Sequence, residues 1–162
     1  MSAVSPSPAM AVRLATPDDL DQLVELRLQL FACFPQALGT IDDEIMRTVS
    51  KAFFTRAFDQ GDCQSWVAVA DQQIVAQGSL AVFQRPPFPG NLSGREAYLL
   101  NMYTLPDYRR RGYSKAILQQ AMDWAREQGL GRIWLHASED GQPLYEAAGF
   151  LPSAKYMEWI PT

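Results

Sequence analysis

Apolar positions along the chain change period several times, and each change marks an element. Ala11-Val12-Arg13-Leu14-Ala15 alternates as a short strand. Thr16-Pro17-Asp18-Asp19 reads as a helix start, with Thr16 at the N-cap, Pro17 at the first helical position and acids in the first turn. Leu20, Leu23, Val24, Leu26, Arg27 and Leu30 make the stripe of a first helix running to about Phe34, where Pro35 stops it. A second helix is expected from Ile41 or Asp42 to about Gln60. Its stripe is Ile45, Val49, Ala52, Phe53 and Ala57, and Gly61 is its exit.

The period then changes to two. Ser65 to Ala70 and Ile74 to Phe83 read as antiparallel strands joined tightly at Asp71-Gln72, with Gly78 marking a bulge. Gln84 to Gly94 is rich in proline and glycine, so it is a loop, either a plain connection or a wall of a substrate pocket. Glu96 to Thr104 reads as a further strand and Pro106-Asp107 as a turn. A helix follows from Ser114, with Ile117, Leu118, Ala121, Trp124 and Ala125 on one side. Arg132 to Ala137 is a short strand, Gln142 to Ala148 a short helix ended by Gly149, and Lys155 to Ile160 a closing strand. The order β-α-α-β-β-β-α-β-α-β is mixed α/β with a hairpin meander.

Composition narrows the class. A chain of 162 residues, 48% hydrophobic and 20% charged, supports one globular core. We expect a flexible tail over residues 1–10 and a single domain over 11–162. The first ten residues lack the features of a secretory leader, and no apolar run approaches the roughly 20 residues of a membrane helix, so a cytoplasmic location is expected. Cys33 and Cys63 are too few for a disulfide framework or a metal cluster, and both are expected to be reduced. A net charge of −4 argues against a nucleic-acid binder and suits an amine-bearing partner.

Against that acidic background, Arg109-Arg110-Arg111-Gly112-Tyr113-Ser114 stands out between a strand and a helix. A helix N-terminus offers unpaired amides and partial positive charge, and a glycine lets backbone approach a phosphate. The run reads as an anion seat. A nucleotide triphosphate site is a poor alternative, because the lysine and glycine spacing of a P-loop are missing.

Arg109-x-x-Gly112-x-Ser114 resembles the Q/R-x-x-G-x-G/A signature of the GNAT acetyltransferase superfamily, with Ser114 where glycine or alanine is usual. Leu144-Tyr145-Glu146-Ala147-Ala148-Gly149-Phe150 resembles that family's L-Y-E-x-x-G-F motif, in the expected order. The resemblance implies a mixed central sheet of six to seven strands, flanked by about four helices and splayed between strands four and five. It also implies direct transfer of an acetyl group from acetyl-CoA to a primary amine of a small or amino-acid-like molecule. It assigns the CoA phosphates to Arg109, Arg110, Arg111, Gly112, Tyr113, Ser114 and Lys115, the thioester oxygen to the Met102 amide, and the pantetheine arm to Thr104 and Ser138. Tyr145 is expected as the general acid. For the base, Glu96 acting through a water is the first choice, with Tyr98, on the same strand face, and His136, the only histidine, as alternatives. A CoA-binding sensor without turnover and an enzyme acting on protein or peptide amines are the competing readings, and a homodimer is compatible with all of them.

Overall fold

The computed structural model describes residues 10–161, so most of the expected N-terminal tail lies outside the described residues. Five strands form one sheet in the order β1-β2-β3-β4-β5: β1 Ala11–Leu14, β2 Cys63–Ala70, β3 Gln73–Gln84, β4 Arg95–Thr104 and β5 Arg132–Trp134. The first four are antiparallel neighbours, while β5 runs parallel to β4. Five helices accompany the sheet: α1 Leu20–Ala32, α2 Pro35–Leu38, α3 Asp43–Gln60, α4 Tyr113–Glu127 and α5 Gln142–Ala147.

Each sheet face buries a different set of side chains, as strand alternation requires. On one face Trp66, Ala68, Val75, Leu80, Ala97 and Leu99 pack against the α4 stripe of Ile117, Leu118, Ala121 and Ala125. On the other, Leu23 and Leu26 of α1 meet Val67, Ile74 and Tyr103, and Phe54 and Ala57 of α3 meet Val24 and Cys63. Ile117 is fully buried, and a buried aliphatic of that size contributes about 1.5–3 kcal/mol.

Three expectations are corrected. The sheet has five strands rather than six to seven, because the expected strand Lys155–Ile160 does not form. Residues 151–161 carry no regular structure, and Met157 and Trp159 are 94% and 85% exposed. Alternation says which side chains would share a face, and not whether a strand edge receives them. Pro35 does not merely stop α1; it occupies the first turn of α2, where its missing N–H costs nothing.

The α3 stripe is also turned. Ala57 is buried as expected, but Ile45, Val49 and Phe53 are exposed, and Ser50 and Phe54 are buried in their stead. The buried face is the one on which Phe54 and Ala57 pack against Val24 and Cys63, while Arg47 pairs with Glu25 and Lys51 with Asp21 along the exposed seam with α1, each at 2.7 Å. Its N-terminus is set by the Asp42 side chain, which accepts from the Glu44 and Ile45 amides.

Strand β4 has one open edge and one crowded end. It pairs with β5 only at Glu96–Arg132, Ala97–Ile133 and Tyr98–Trp134, so from Leu99 to Thr104 its outer edge has no strand neighbour. Pairing between β4 and β5 therefore ends after Tyr98, at the pair of strands where a splay was expected. The proline-rich loop lies at the opposite, N-terminal end of β4. There Asn91 donates to the Arg95 carbonyl and packs so tightly on Gly131 that a Cβ would lie 2.1 Å from its Oδ1.

Candidate active site

The arginine loop is built to leave its amides free. A short 3-10 turn over Pro106–Tyr108 delivers the chain to Arg109; Arg110 and Gly112 then take left-handed conformations, with φ of 60° and 87°. The first α4 hydrogen bond runs from the Ala116 amide to the Gly112 carbonyl at 3.0 Å, and no side chain caps the helix. The amides of Arg110 through Lys115 therefore donate to no acceptor among the described residues. Six N–H groups without acceptors at the positive end of a fifteen-residue helix are the kind of group an anion can engage.

The side chains divide the labour unequally. Arg109 turns back, with Nε donating to the Thr104 carbonyl at 3.0 Å and its guanidinium 5.4 Å from the Tyr103 ring centre. It braces the loop against β4. Arg111 lies over Tyr108, and Arg110 and Lys115 are exposed at the rim. The Ser114 hydroxyl is 2.9 Å from Thr104 Oγ1, so the residue that departs from the usual motif ties the first turn of α4 to the end of β4.

At the open edge β4 carries an irregularity. Ser79 faces Leu100 and Gln77 faces Tyr103, so three steps along β4 match two along β3, and Asn101 takes a left-handed φ of 58°. The extra residue belongs to β4. Gly78 lies opposite, where a Cβ would sit 2.4 Å from Met102 Sδ and 2.8 Å from Ile117 Cγ2. Glycine there lets the Met102 side chain tuck beneath α4, and the Met102 backbone lies on the strand segment that β5 leaves open.

Beside the bulge lies a polar file that no sequence motif marks. Asn101, 4% exposed, accepts from Arg27 Nη1 of α1 and reaches Ser79 Oγ at 3.5 Å, and Ser79 in turn meets Ser65 Oγ at 2.7 Å. The one signal for it in the sequence is a single charge, Arg27, within the apolar stripe of α1.

The acid–base candidates fall into two groups. Tyr145 on α5 is half-buried against the α4 core and Phe150; burial, and secondarily the nearby Tyr98, push its phenol above the ordinary range. It therefore keeps its proton at neutral pH. Tyr98 Oη is 2.7 Å from His136 Nδ1, and the histidine ring is flanked by Trp134 at 5.9 Å and Tyr156 at 5.1 Å. Burial also raises the Tyr98 phenol, offset in part by a hydrogen bond to the His136 backbone. Ser138 closes the turn into α5, its Oγ accepting from the Gly141 amide at 3.1 Å.

Glu96 stands apart from both groups. It is fully buried, with Arg85 Nε 2.8 Å from Oε1 and Arg132 Nη2 donating to Oε2 at 2.8 Å. It lies six residues before Met102, about 20 Å along the strand at roughly 3.3 Å per residue. A carboxylate held by two guanidinium groups at the closed end of β4 is poorly placed to take a proton at the open end.

A helix start with unpaired amides thus stands near the end of a bulged strand whose outer edge has no strand neighbour. Residues 24–150 match the acetyltransferase (GNAT) family, and the chain belongs to that family, whose cosubstrate is acetyl-CoA. Among solved structures it is similar to a predicted acetyltransferase of Clostridium acetobutylicum solved with acetyl-CoA (27% identity, TM-score 0.82), covering 93% of this chain and 96% of that one. It is also similar to a GCN5-related N-acetyltransferase of Ralstonia eutropha JMP134 (28% identity, TM-score 0.79), covering 94% and 99%. A [Ribosomal protein bS18]-alanine N-acetyltransferase of Escherichia coli strain K12 is 31% identical over 70 residues, 41% of this chain and 47% of the relative. The chain spans about half the length of the curated relatives it matches. No helix among the described residues is long and apolar enough to cross a membrane.

Proposed function

We propose that this protein is an acetyl-CoA-dependent N-acetyltransferase that acts on a primary amine by direct attack on the thioester. The observation that carries the reading is the set of six unpaired amides from Arg110 to Lys115, set beside the open edge of β4. Those amides and the Arg110, Arg111 and Lys115 side chains take the CoA phosphates, with Arg109 as the brace and Gly112, Tyr113 and Ser114 shaping the helix start. The pantetheine arm follows the unpaired edge past Thr104, with Ser138 on the far side of the cleft. The Met102 amide donates to the thioester oxygen and stabilises the charge that develops there during attack.

Proton movement follows from the same geometry. The incoming ammonium must lose a proton before its nitrogen can attack, and the departing thiolate must gain one. Tyr145, whose phenol is held protonated, is the acid. In this reading the hydrogen-bonded Tyr98–His136 pair accepts the ammonium proton, and Glu96 neutralises Arg85 and Arg132 instead of serving as the base.

Titration with acetyl-CoA and measurement of CoA release across a panel of amines test the reading together. Tyr145→Phe removes one proton and almost no volume. It should leave acetyl-CoA affinity within about twofold while turnover falls by roughly 10²–10⁴-fold. Binding with no turnover of any amine would favour a CoA-binding sensor; absence of binding would remove the proposal.

A further inference from the structure

Every carboxylate of α1 within reach of a cation on α3 is already taken. Glu25 pairs with Arg47 and Asp21 with Lys51, and both pairs lie on the exposed α1–α3 seam. Arg27, on the sheet-facing side of α1, has no carboxylate partner among the described residues. What holds it is neutral: the Asn101 side chain at the bulge, and the Phe31 ring, 4.4 Å from the guanidinium carbon. Burial pushes the Arg27 guanidinium down from its ordinary value. The nearby Cys63 thiol, pushed up to about 12 by burial, supplies no negative charge. A half-buried, permanently charged group without a counter-ion is costly, and the cost falls when an anion arrives with a ligand.

The position of that charge says which ligand. Asn101 directly precedes Met102, whose amide is proposed to receive the thioester oxygen, so Arg27 borders the place where the acceptor nitrogen must come within about 3–3.5 Å of the carbonyl carbon. One Arg27 nitrogen is engaged by Asn101, and the remaining donors of the planar fork suit a planar carboxylate. The phosphates of the cosubstrate have their own seat at α4. Acetyl-CoA carries no charge at its thioester, so a resident cation there is matched by the other substrate.

We infer that Arg27 receives a carboxylate of the acceptor, which makes the acceptor an amino acid or another amine with a carboxylate a few bonds from its nitrogen. The inference rests on the acetyltransferase reading and names its substrate class. Asn101, Ser79 and Ser65 then form the polar backing that holds Arg27 toward the acceptor, and Phe31 limits its swing. Amines without a carboxylate, such as amino sugars or protein lysines, leave the charge unmatched.

The experiment compares matched pairs: L-leucine with 3-methylbutylamine, L-phenylalanine with phenethylamine, and 4-aminobutyrate with butylamine. The parent and the variants Arg27→Gln and Arg27→Lys are assayed by CoA release, and binding of the same six compounds to CoA-saturated protein is measured by calorimetry. The expected result is a preference of the parent for the carboxylated member of at least one pair. In Arg27→Gln, KM for that member rises roughly 30-fold or more while KM for its plain amine is unchanged, and Arg27→Lys retains part of the preference. No preference in the parent, or the same preference in Arg27→Gln, overturns the inference. So does an equal fall in kcat for every acceptor, which would place Arg27 on the thioester oxygen. Turnover of plain amines without a carboxylate preference sinks this inference and leaves the acetyltransferase reading standing. Release of CoA from no compound sinks that reading, and the calorimetry still decides whether Arg27 binds carboxylates.

Discussion

The two ends of β4 are made from similar materials and finished in opposite ways. At the N-terminal end a buried charge, Glu96, is met by two guanidinium groups, and the strand is closed on both sides by β3 and β5. At the C-terminal end the strand loses its parallel neighbour, and the adjacent helix start presents six amides with no protein acceptor. A half-buried cation, Arg27, sits there with only neutral partners, the Asn101 side chain and the Phe31 ring. The difference separates structure from site: charges paired within the chain hold the fold, and groups without a protein counterpart are free to meet something the chain does not supply.

The largest effect expected from testing this contrast is at the closed end. Glu96→Ala strips the shared partner from Arg85 and Arg132 and should lower stability by about 1.5–3 kcal/mol in denaturant titrations, with acetyl-CoA affinity unchanged. Gly112→Val acts on the open end. It forces a β-branched residue to a φ of 87°, at a cost of about 1–2 kcal/mol, and should weaken acetyl-CoA at least tenfold by calorimetry while the protein stays folded. Equal affinity in a folded variant would break the assignment of the seat.

A smaller effect comes from pH. The Arg13 guanidinium beside Asp19, at 2.7 Å, holds that carboxyl below its usual range. A depressed folded value means the stabilisation is fully present above the ordinary carboxylate pKa of about 3.9 and is lost as pH falls through the lower folded value. Thermal melts between pH 6 and 2 should show this loss, about 1 kcal/mol at most because Arg13 is partly exposed, and Asp19→Asn should remove it. The smallest effect is the sharpest for the comparison. Arg27→Met removes a half-buried charge without a carboxylate partner, and relief of that charge should offset much of the roughly 1–3 kcal/mol cost of leaving the Asn101 Oδ1 without its donor, so the net loss of stability should be smaller than that of Glu96→Ala. A large destabilisation by Arg27→Met would mean that Arg27 belongs with Glu96 among the groups that hold the fold.

Local motifs are legible in the sequence, and relationships across the sheet are not. The Arg109–Ser114 run between a strand and a helix, and the Leu144–Phe150 stretch, can be read because each is a continuous segment whose residues are neighbours along the chain. The α3 stripe misleads because hydrophobic periodicity shows which residues share a face, while the residues that other elements bring, Val24 of α1 and Cys63 of β2, decide which face is buried. Glu96 shares the strand face expected of it, but its two arginines come from positions 85 and 132, and spacing along one strand cannot show partners that arrive from two others. The bulge that seats Met102 is a mismatch of counts between β3 and β4, and Arg27 joins it from 74 residues away.

That mismatch has a consequence for how such a chain changes over generations. Leu100 and Tyr103 keep partners on β3 with one residue more between them than the ladder uses, so removing the codon for Asn101 would leave a regular strand with every downstream pairing intact. The sheet would survive the deletion, and the left-handed turn of the backbone and the partner of Arg27 would vanish together. The extra residue is therefore an inheritance that folding does not protect. If the proposed transfer takes place at that edge, a variant lacking Asn101 should be a stable protein with no acetyl transfer.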